Sequence, residues 1–227
     1  MIRWEQPGYR VVFTTRQGGV SAGPYASLNL GRLTRDTDVN VEENRRRVCA
    51  ELGVDAARLA INRQVHSATV SEAVAGARGA EADGLWTSEA GLPMVALSAD
   101  CLPIVVARVG GQRRLAVLHA GWRGLLAGIV ESGVAALAGE PLAAAIGPGI
   151  GPCCYEVGED VSTLFDPDLT AGRMLDLWTA AERRLRAAGV AAITRLDLCT
   201  SCNPELFFSH RRDAGVTGRQ GVVGAVA

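Results

Sequence analysis

The stretch "MVALSADCLPIVVA", residues 94–107, sets two apolar runs on either side of an acid and a thiol. Each run is short and rich in Val, Ile and Leu, which reads as strand rather than helix. Strands are expected over Met94 to Ser98 and Pro103 to Ala107, with Asp100 and Cys101 on the turn between them. A carboxylate buried there without a partner costs several kcal/mol. Asp100 must therefore cap the turn, orient a ligand or carry a proton. Downstream, "LAVLHAGWRG", 115–124, places His119 at the end of another strand-like run, Leu115 to His119.

Working outward, "YRVVFTTRQGGVS" reads as a strand from Arg10 to Thr15 that ends in a Gly-Gly turn. Asn40 with Glu43 resembles a capping box opening a helix. Val41, Val48 and Leu52 would share its inner face, and Gly53 would stop it. "LAINRQVHSATVSEA" is strand-like on both sides of His66, and "DGLWTSEAGLP" reads as loop. A helix is expected from about Leu125 to Leu137, ended by Gly139. "AAAIGPGIGPCCYEVG" reads as a short strand and a rigid Gly/Pro loop. Helices are expected over Glu159 to Phe165 and Met174 to Ala188, the latter with Leu175, Trp178, Leu185 and Ala188 on its apolar side. "ITRLDLCT" reads as a strand and "HRRDAGVTGRQG" as a polar, Gly-rich tail. Strands outnumber helices and do not alternate strictly with them, so the class is α+β. Without repeats or a linker, residues 1–227 read as a single catalytic domain.

With 48 % apolar and 21 % charged residues, the composition is that of a folded globular protein. A net charge of −1 gives no basis for nucleic acid or an acidic membrane as partner. All 23 basic residues are Arg, which excludes Schiff-base chemistry and a Walker lysine. Any anion held by a side chain would be held by Arg, which grips phosphate bidentately. The first residues lack the pattern of a signal peptide, and no apolar run reaches membrane-span length. A cytoplasmic location is expected, with the six Cys as thiols or metal ligands rather than disulfides.

Dinucleotide, P-loop, nucleophile-elbow and H-E-x-x-H motifs are absent. What remains is sparse: three His, two of them, like Cys101, in or beside strand-like segments. If His66, Cys101 and His119 converge, they form a His₂Cys set with one open position, the pattern of a catalytic zinc. The same three residues also permit a Cys101 thiolate activated by His119. Cys153-Cys154 and Cys199-x-x-Cys202 lack the usual pair of C-x₂-C knuckles. They are expected as small buried side chains near the pocket rather than as a metal site.

Several long motifs in register add a resemblance. "FTTRQGGVS", "SLNLG", "QVHSATV", "ADGLWT", "ADCLPIVV", "LHAGWRG", "IGPGIGPCCYEVG" and "FFSHRRDAGVTGRQ" occur in order along nearly the whole chain. The chain resembles the multicopper polyphenol oxidase (laccase-like) family, also called purine nucleoside phosphorylase/adenosine deaminase or peptidoglycan editing factor. The resemblance implies layered mixed sheets flanked by helices, similar to the deamidase-toxin fold. It implies one zinc ion, in preference to copper, on His66, Cys101 and His119. It also implies phosphorolysis of adenosine, inosine, guanosine and methylthioadenosine, and deamination of adenosine. Cell-wall precursor editing is the alternative. A multicopper centre needs many His ligands, and three His in the chain cannot supply them. Asp100 is then a candidate proton carrier. Arg45, Arg123 and Arg211 are candidate phosphate ligands, assisted by the backbone N–H groups of Gly149 and Gly151. Gln64 beside His66 is a further candidate for substrate contact, and Tyr155 a candidate stacking surface for the base. His210 stands where Tyr is expected in many members, so it has no assigned role. Monomer and homodimer are both compatible with the sequence.

Overall fold

The computed structural model describes residues 1–139 and 141–227. Strands β1 (Ile2–Arg3) and β2 (Tyr9–Phe13) are followed by helix α1 (Asp38–Leu52). Then come β3 (Ala60–Arg63), β4 (Val70–Glu72), β5 (Arg78–Glu81), β6 (Gly84–Thr87), β7 (Met94–Ser98), β8 (Leu102–Arg108) and β9 (Arg114–Ala120). Helices α2 (Trp122–Ala127) and α3 (Ile129–Leu137) lead into β10 (Leu142–Ile146) and α4 (Glu159–Ser162). A small hairpin, β11 (Thr170–Ala171) and β12 (Met174–Leu175), precedes α5 (Leu177–Ala187), β13 (Ala192–Arg195) and β14 (Gln220–Val226).

Two six-stranded mixed sheets result, ordered β1-β2-β14-β7-β3-β5 and β13-β10-β8-β9-β6-β4. The period-2 rule explains how they stack. In β8, Val105 and Ala107 join Leu115 and Val117 of β9 in a core with Val11, Phe13, Met94 and Val222 of the first sheet. Their neighbours Ile104, Val106, Ala116 and Leu118 face the other way, onto α2, α3 and α5. On the far side of the first sheet, Val12, Val95 and Val223 meet Val48 and Leu52 of α1. The central strands are covered on both faces, which is why they read as continuous apolar runs. This is the α+β layered architecture expected from the sequence. Among the described residues no helix is long and apolar enough to cross a membrane.

Several local expectations are corrected. Thr37, not Asn40, caps α1, accepting the Asn40 N–H at 3.2 Å. The segment read as loop after Asp83 contains β6, which turn-forming residues on either side disguised. The helix expected over residues 125–137 is two helices, because Gly128 takes φ 95° while the apolar spacing runs on across it. Met174 and Leu175 belong to β12, and Asp176 caps α5 just after them. The polar tail leads into β14, a fully buried strand between β2 and β7. Gly221 permits that position, since a Cβ there would lie 2.1 Å from the Ala96 carbonyl oxygen.

Candidate active site

Strand register brings the sparse residues together. β8 and β9 pair antiparallel with Leu102 opposite Ala120 and Pro103 opposite His119, so Cys101 and His119 leave the same end of the hairpin. β9 pairs with β6 on its other side, and the His119 N–H donates to the Asp83 carbonyl at 2.7 Å. β3 runs parallel to β7, carrying His66 toward the Asp100–Cys101 turn. The ligand atoms of His66, Cys101 and His119 all lie within 4.8 Å of one another. Cys101 Sγ is 3.9 Å from His66 Nε2, and the two imidazoles meet edge to face at 4.8 Å between centroids. His119 is buried, Cys101 partly exposed and His66 exposed, so the set opens to solvent on one side.

Asp83 organises this set, and sequence reasoning missed it. Its carboxylate is 1 % exposed. Oδ1 accepts from His119 Nδ1 at 2.8 Å and from the His66 N–H at 2.9 Å. Oδ2 accepts from the N–H groups of Val65 and Ser67 and from the Ser67 hydroxyl. Burial alone would raise its pKa; these donors hold it well below the carboxylate range. Asp83 thus fixes the His119 ring and leaves its Nε2 as the ligand atom. It also holds His66 at φ 62°, a left-handed conformation rare outside Gly. The available signal was the acid of "ADG", which was read as a loop residue.

The three side chains fit a metal ion. Two nitrogens and one sulfur converge, one imidazole is braced by a carboxylate, and one side stays open. Gly121 keeps the space clear: a Cβ there would lie 2.9 Å from Cys101 Sγ and 3.1 Å from His66 Cδ2. Without metal, the electrostatics of the set favour a Cys101 thiolate beside a protonated His119. Burial opposes ionisation of Cys101, but the His119 charge and hydrogen bonds from both imidazoles bring it down to about 6. Burial likewise opposes the charge on His119, but the thiolate and Asp83 raise it to about 9.

The other candidates divide. Asp100 is 7 % exposed, with φ 91°. Its Oδ1 accepts from the Thr200 hydroxyl at 2.6 Å and Oδ2 from the Arg211 N–H at 2.7 Å. The carboxylate thus clamps the 200 and 211 loops onto the turn. Gln64 is occupied at both ends by Leu97, donating to its carbonyl and accepting its N–H, in imitation of a sheet ladder. Arg45 is 4 % exposed and donates twice to the Leu30 carbonyl and once to Glu42, so it is a structural brace of α1 and not a phosphate ligand. The N–H groups of Gly149 and Gly151 are taken by the Leu198 carbonyl and Cys199 Sγ.

Tyr155, Arg123 and Arg211 gather beside the triad. Burial pushes the Tyr155 phenol up to about 12, with Cys101, Arg211, Asp100 and Arg123 all contributing to its field. Arg211 lies over the Tyr155 ring at 5.4 Å, and Arg123 over Trp122 at 4.2 Å. Arg219, which the sequence did not single out, is held by the Thr217 and Gly218 carbonyls. Burial pulls its pKa down while Cys101 and Asp100 oppose that, which brings a third cation to the site. His210 is exposed and lies outside the cluster. The expectation for the remaining cysteines is also corrected. Cys153 and Cys202 are exposed, and the sulfurs of Cys153, Cys154, Cys199 and Cys202 all lie within 4.8 Å of one another.

Comparison with known proteins places this geometry in a family. The chain is 40 % identical to purine nucleoside phosphorylase YlmD of Geobacillus stearothermophilus, covering 91 % of this chain and 86 % of that protein. It is 38 % identical to purine nucleoside phosphorylase YfiH of Escherichia coli, covering 96 % and 94 %. The crystal structure of a Neisseria meningitidis protein superposes with a TM-score of 0.89 at 32 % identity, covering 97 % of this chain and 95 % of that one. The YlmD crystal structure gives 0.86 at 36 % identity, covering 97 % and 93 %. The family model described as multi-copper polyphenol oxidoreductase laccase matches residues 10–226, and the chain belongs to that family.

Proposed function

We propose that this chain is a cytoplasmic, single-domain zinc enzyme acting on purine nucleosides. Its reactions would be phosphorolysis of adenosine, inosine, guanosine and methylthioadenosine, and deamination of adenosine. The observation that carries this reading is the open His66–Cys101–His119 set braced by Asp83. Relatives at 38–40 % identity named purine nucleoside phosphorylase support it. Zinc on these residues would supply Lewis-acid chemistry, polarising a bound oxygen or lowering the pKa of water to about 7. Asp83 keeps the His119 ring in one tautomer and orientation. Breaking a glycosidic bond develops positive charge on the ribose, so a phosphate dianion must be held close to it. Arg211 over the Tyr155 ring and Arg123, whose charge also reaches Tyr155, would grip that anion. The Tyr155 ring offers the base a stacking surface. Laccase chemistry is not part of this reading, because one His₂Cys set supports a single metal centre. The test is a product assay on adenosine with and without phosphate, alongside metal analysis. Base release that is undiminished when phosphate is omitted overturns the phosphorylase reading.

A second reading rests on the low pKa of Cys101. With His119 and Asp83 it forms a Cys–His–Asp arrangement suited to nucleophilic hydrolysis, including editing of a cell-wall precursor. Trapping an acyl adduct on Cys101, with no turnover of nucleosides, would select it.

A further inference from the structure

We propose that Cys153, Cys154, Cys199 and Cys202 form a second metal site, which holds one structural zinc ion and joins the two loops beside the His66–Cys101–His119 set. The four sulfurs come from segments about 45 residues apart in sequence and yet lie within 4.8 Å of one another. Cys154 Sγ is 3.3 Å and Cys153 Sγ 3.5 Å from Cys202 Sγ. Four sulfurs bound tetrahedrally to zinc at ~2.3 Å stand about 3.8 Å apart, so the observed spacing is that of ligands around one ion. All four are free thiols.

Adjacent cysteines ordinarily diverge, and the local fold shows why these do not. Residues 151–155 close into a turn in which the N–H groups of Cys154 and Tyr155 both donate to the Gly151 carbonyl. Both sulfurs then face Cys202. Opposite them, Cys199 Sγ accepts the Gly151 N–H at 3.3 Å. Arg212, itself paired with Asp213, donates to the Thr200 and Ser201 carbonyls and so ties down the turn between Cys199 and Cys202. Core packing accounts for Cys199 and Cys154 but not for Cys153 and Cys202, which are exposed. Four soft thiolates and no open position select zinc in a structural role. The ion would hold the turn whose Thr200 anchors Asp100 to the loop that carries Tyr155.

The experiment loads reduced protein with zinc alone and counts bound zinc per chain after dialysis. Wild type is expected to hold two ions, Cys101→Ser one, Cys202→Ser one and the double variant none. Zinc lost from Cys202→Ser but unchanged in Cys101→Ser upholds this site while counting against zinc at the first one. Equal zinc in wild type and in both Cys202→Ser and Cys154→Ser overturns it. Should those variants fail to fold, alkylation of the wild type decides. Zinc is expected to slow labelling of all four cysteines at least ~10-fold, with a chelator restoring the rate. Labelling indifferent to zinc overturns the proposal.

Discussion

The two sulfur-containing clusters of this protein are assembled in opposite ways. Cys101 and His119 leave one end of the paired β8–β9 hairpin, and His66 sits on the loop after β3, where the buried Asp83 carboxylate fixes its backbone before any ligand arrives. Cys153, Cys154, Cys199 and Cys202 sit on two loops joined by a few bonds around the bridge between Gly149 and Cys199. The first set mixes nitrogen with sulfur, is braced by one buried carboxylate and keeps an open side. The second is all sulfur and surrounds its centre. The ends of paired strands hold side chains precise enough for chemistry, whereas loops gain order from what they bind.

Four measurements test that contrast. Cys101→Ala should abolish activity and metal at the first set, beyond the roughly 10–100-fold lost when only a supporting group is removed. Metal at the four-cysteine cluster should survive, as metal analysis will show; loss of both ions together would make the two clusters one unit. Asp83→Ala leaves His119 and three backbone N–H groups without their acceptor. It should cost roughly 3–5 kcal/mol in urea unfolding and roughly 10–100-fold in metal affinity. The carboxylate pKa is depressed in the fold, so its contribution is present above the ordinary carboxylate range and fades as pH falls through the folded value. The acid unfolding midpoint should therefore shift in Asp83→Ala. Gly121→Ala adds a methyl 2.9 Å from Cys101 Sγ and should weaken metal binding about 10-fold with little change in melting temperature. Finally, in metal-free protein the Cys101 alkylation rate should rise as pH increases through about 6, not through the ordinary thiol value. His119→Ala should move that midpoint upward; an unchanged midpoint would remove His119 as its cause.

The strands around "LSADCLPIV" were legible because apolar runs buried on both faces need no finer pattern. Cys101 and His119 were legible as chemistry misplaced at strand ends. Asp83 was not, because an acid before Gly is ordinary turn chemistry until its donors are seen. Arg45 and Gln64 misled for the complementary reason: each lies in or beside a recognisable motif, yet its polar atoms are used by backbone groups that no motif displays. The cysteine cluster was hidden by its spacing, since the turn that aligns Cys153 with Cys154 depends on one carbonyl accepting two N–H groups. β14 was hidden by its glycines, which read as tail until Ala96 is placed beside Gly221.

The position of β14 bears on how the molecule assembles. β8 and β9 are consecutive and pair through a short turn, so the second sheet has a local nucleus. The first sheet is different: β14 joins β2 across 207 positions of sequence, as in the bond between Thr14 and Gly221. Until it docks, β2 and β7 face one another across a gap, each with an unpaired edge. Refolding should then proceed with the second sheet ahead of the first, and crowded refolding mixtures should lose material by edge-to-edge association at β2 and β7.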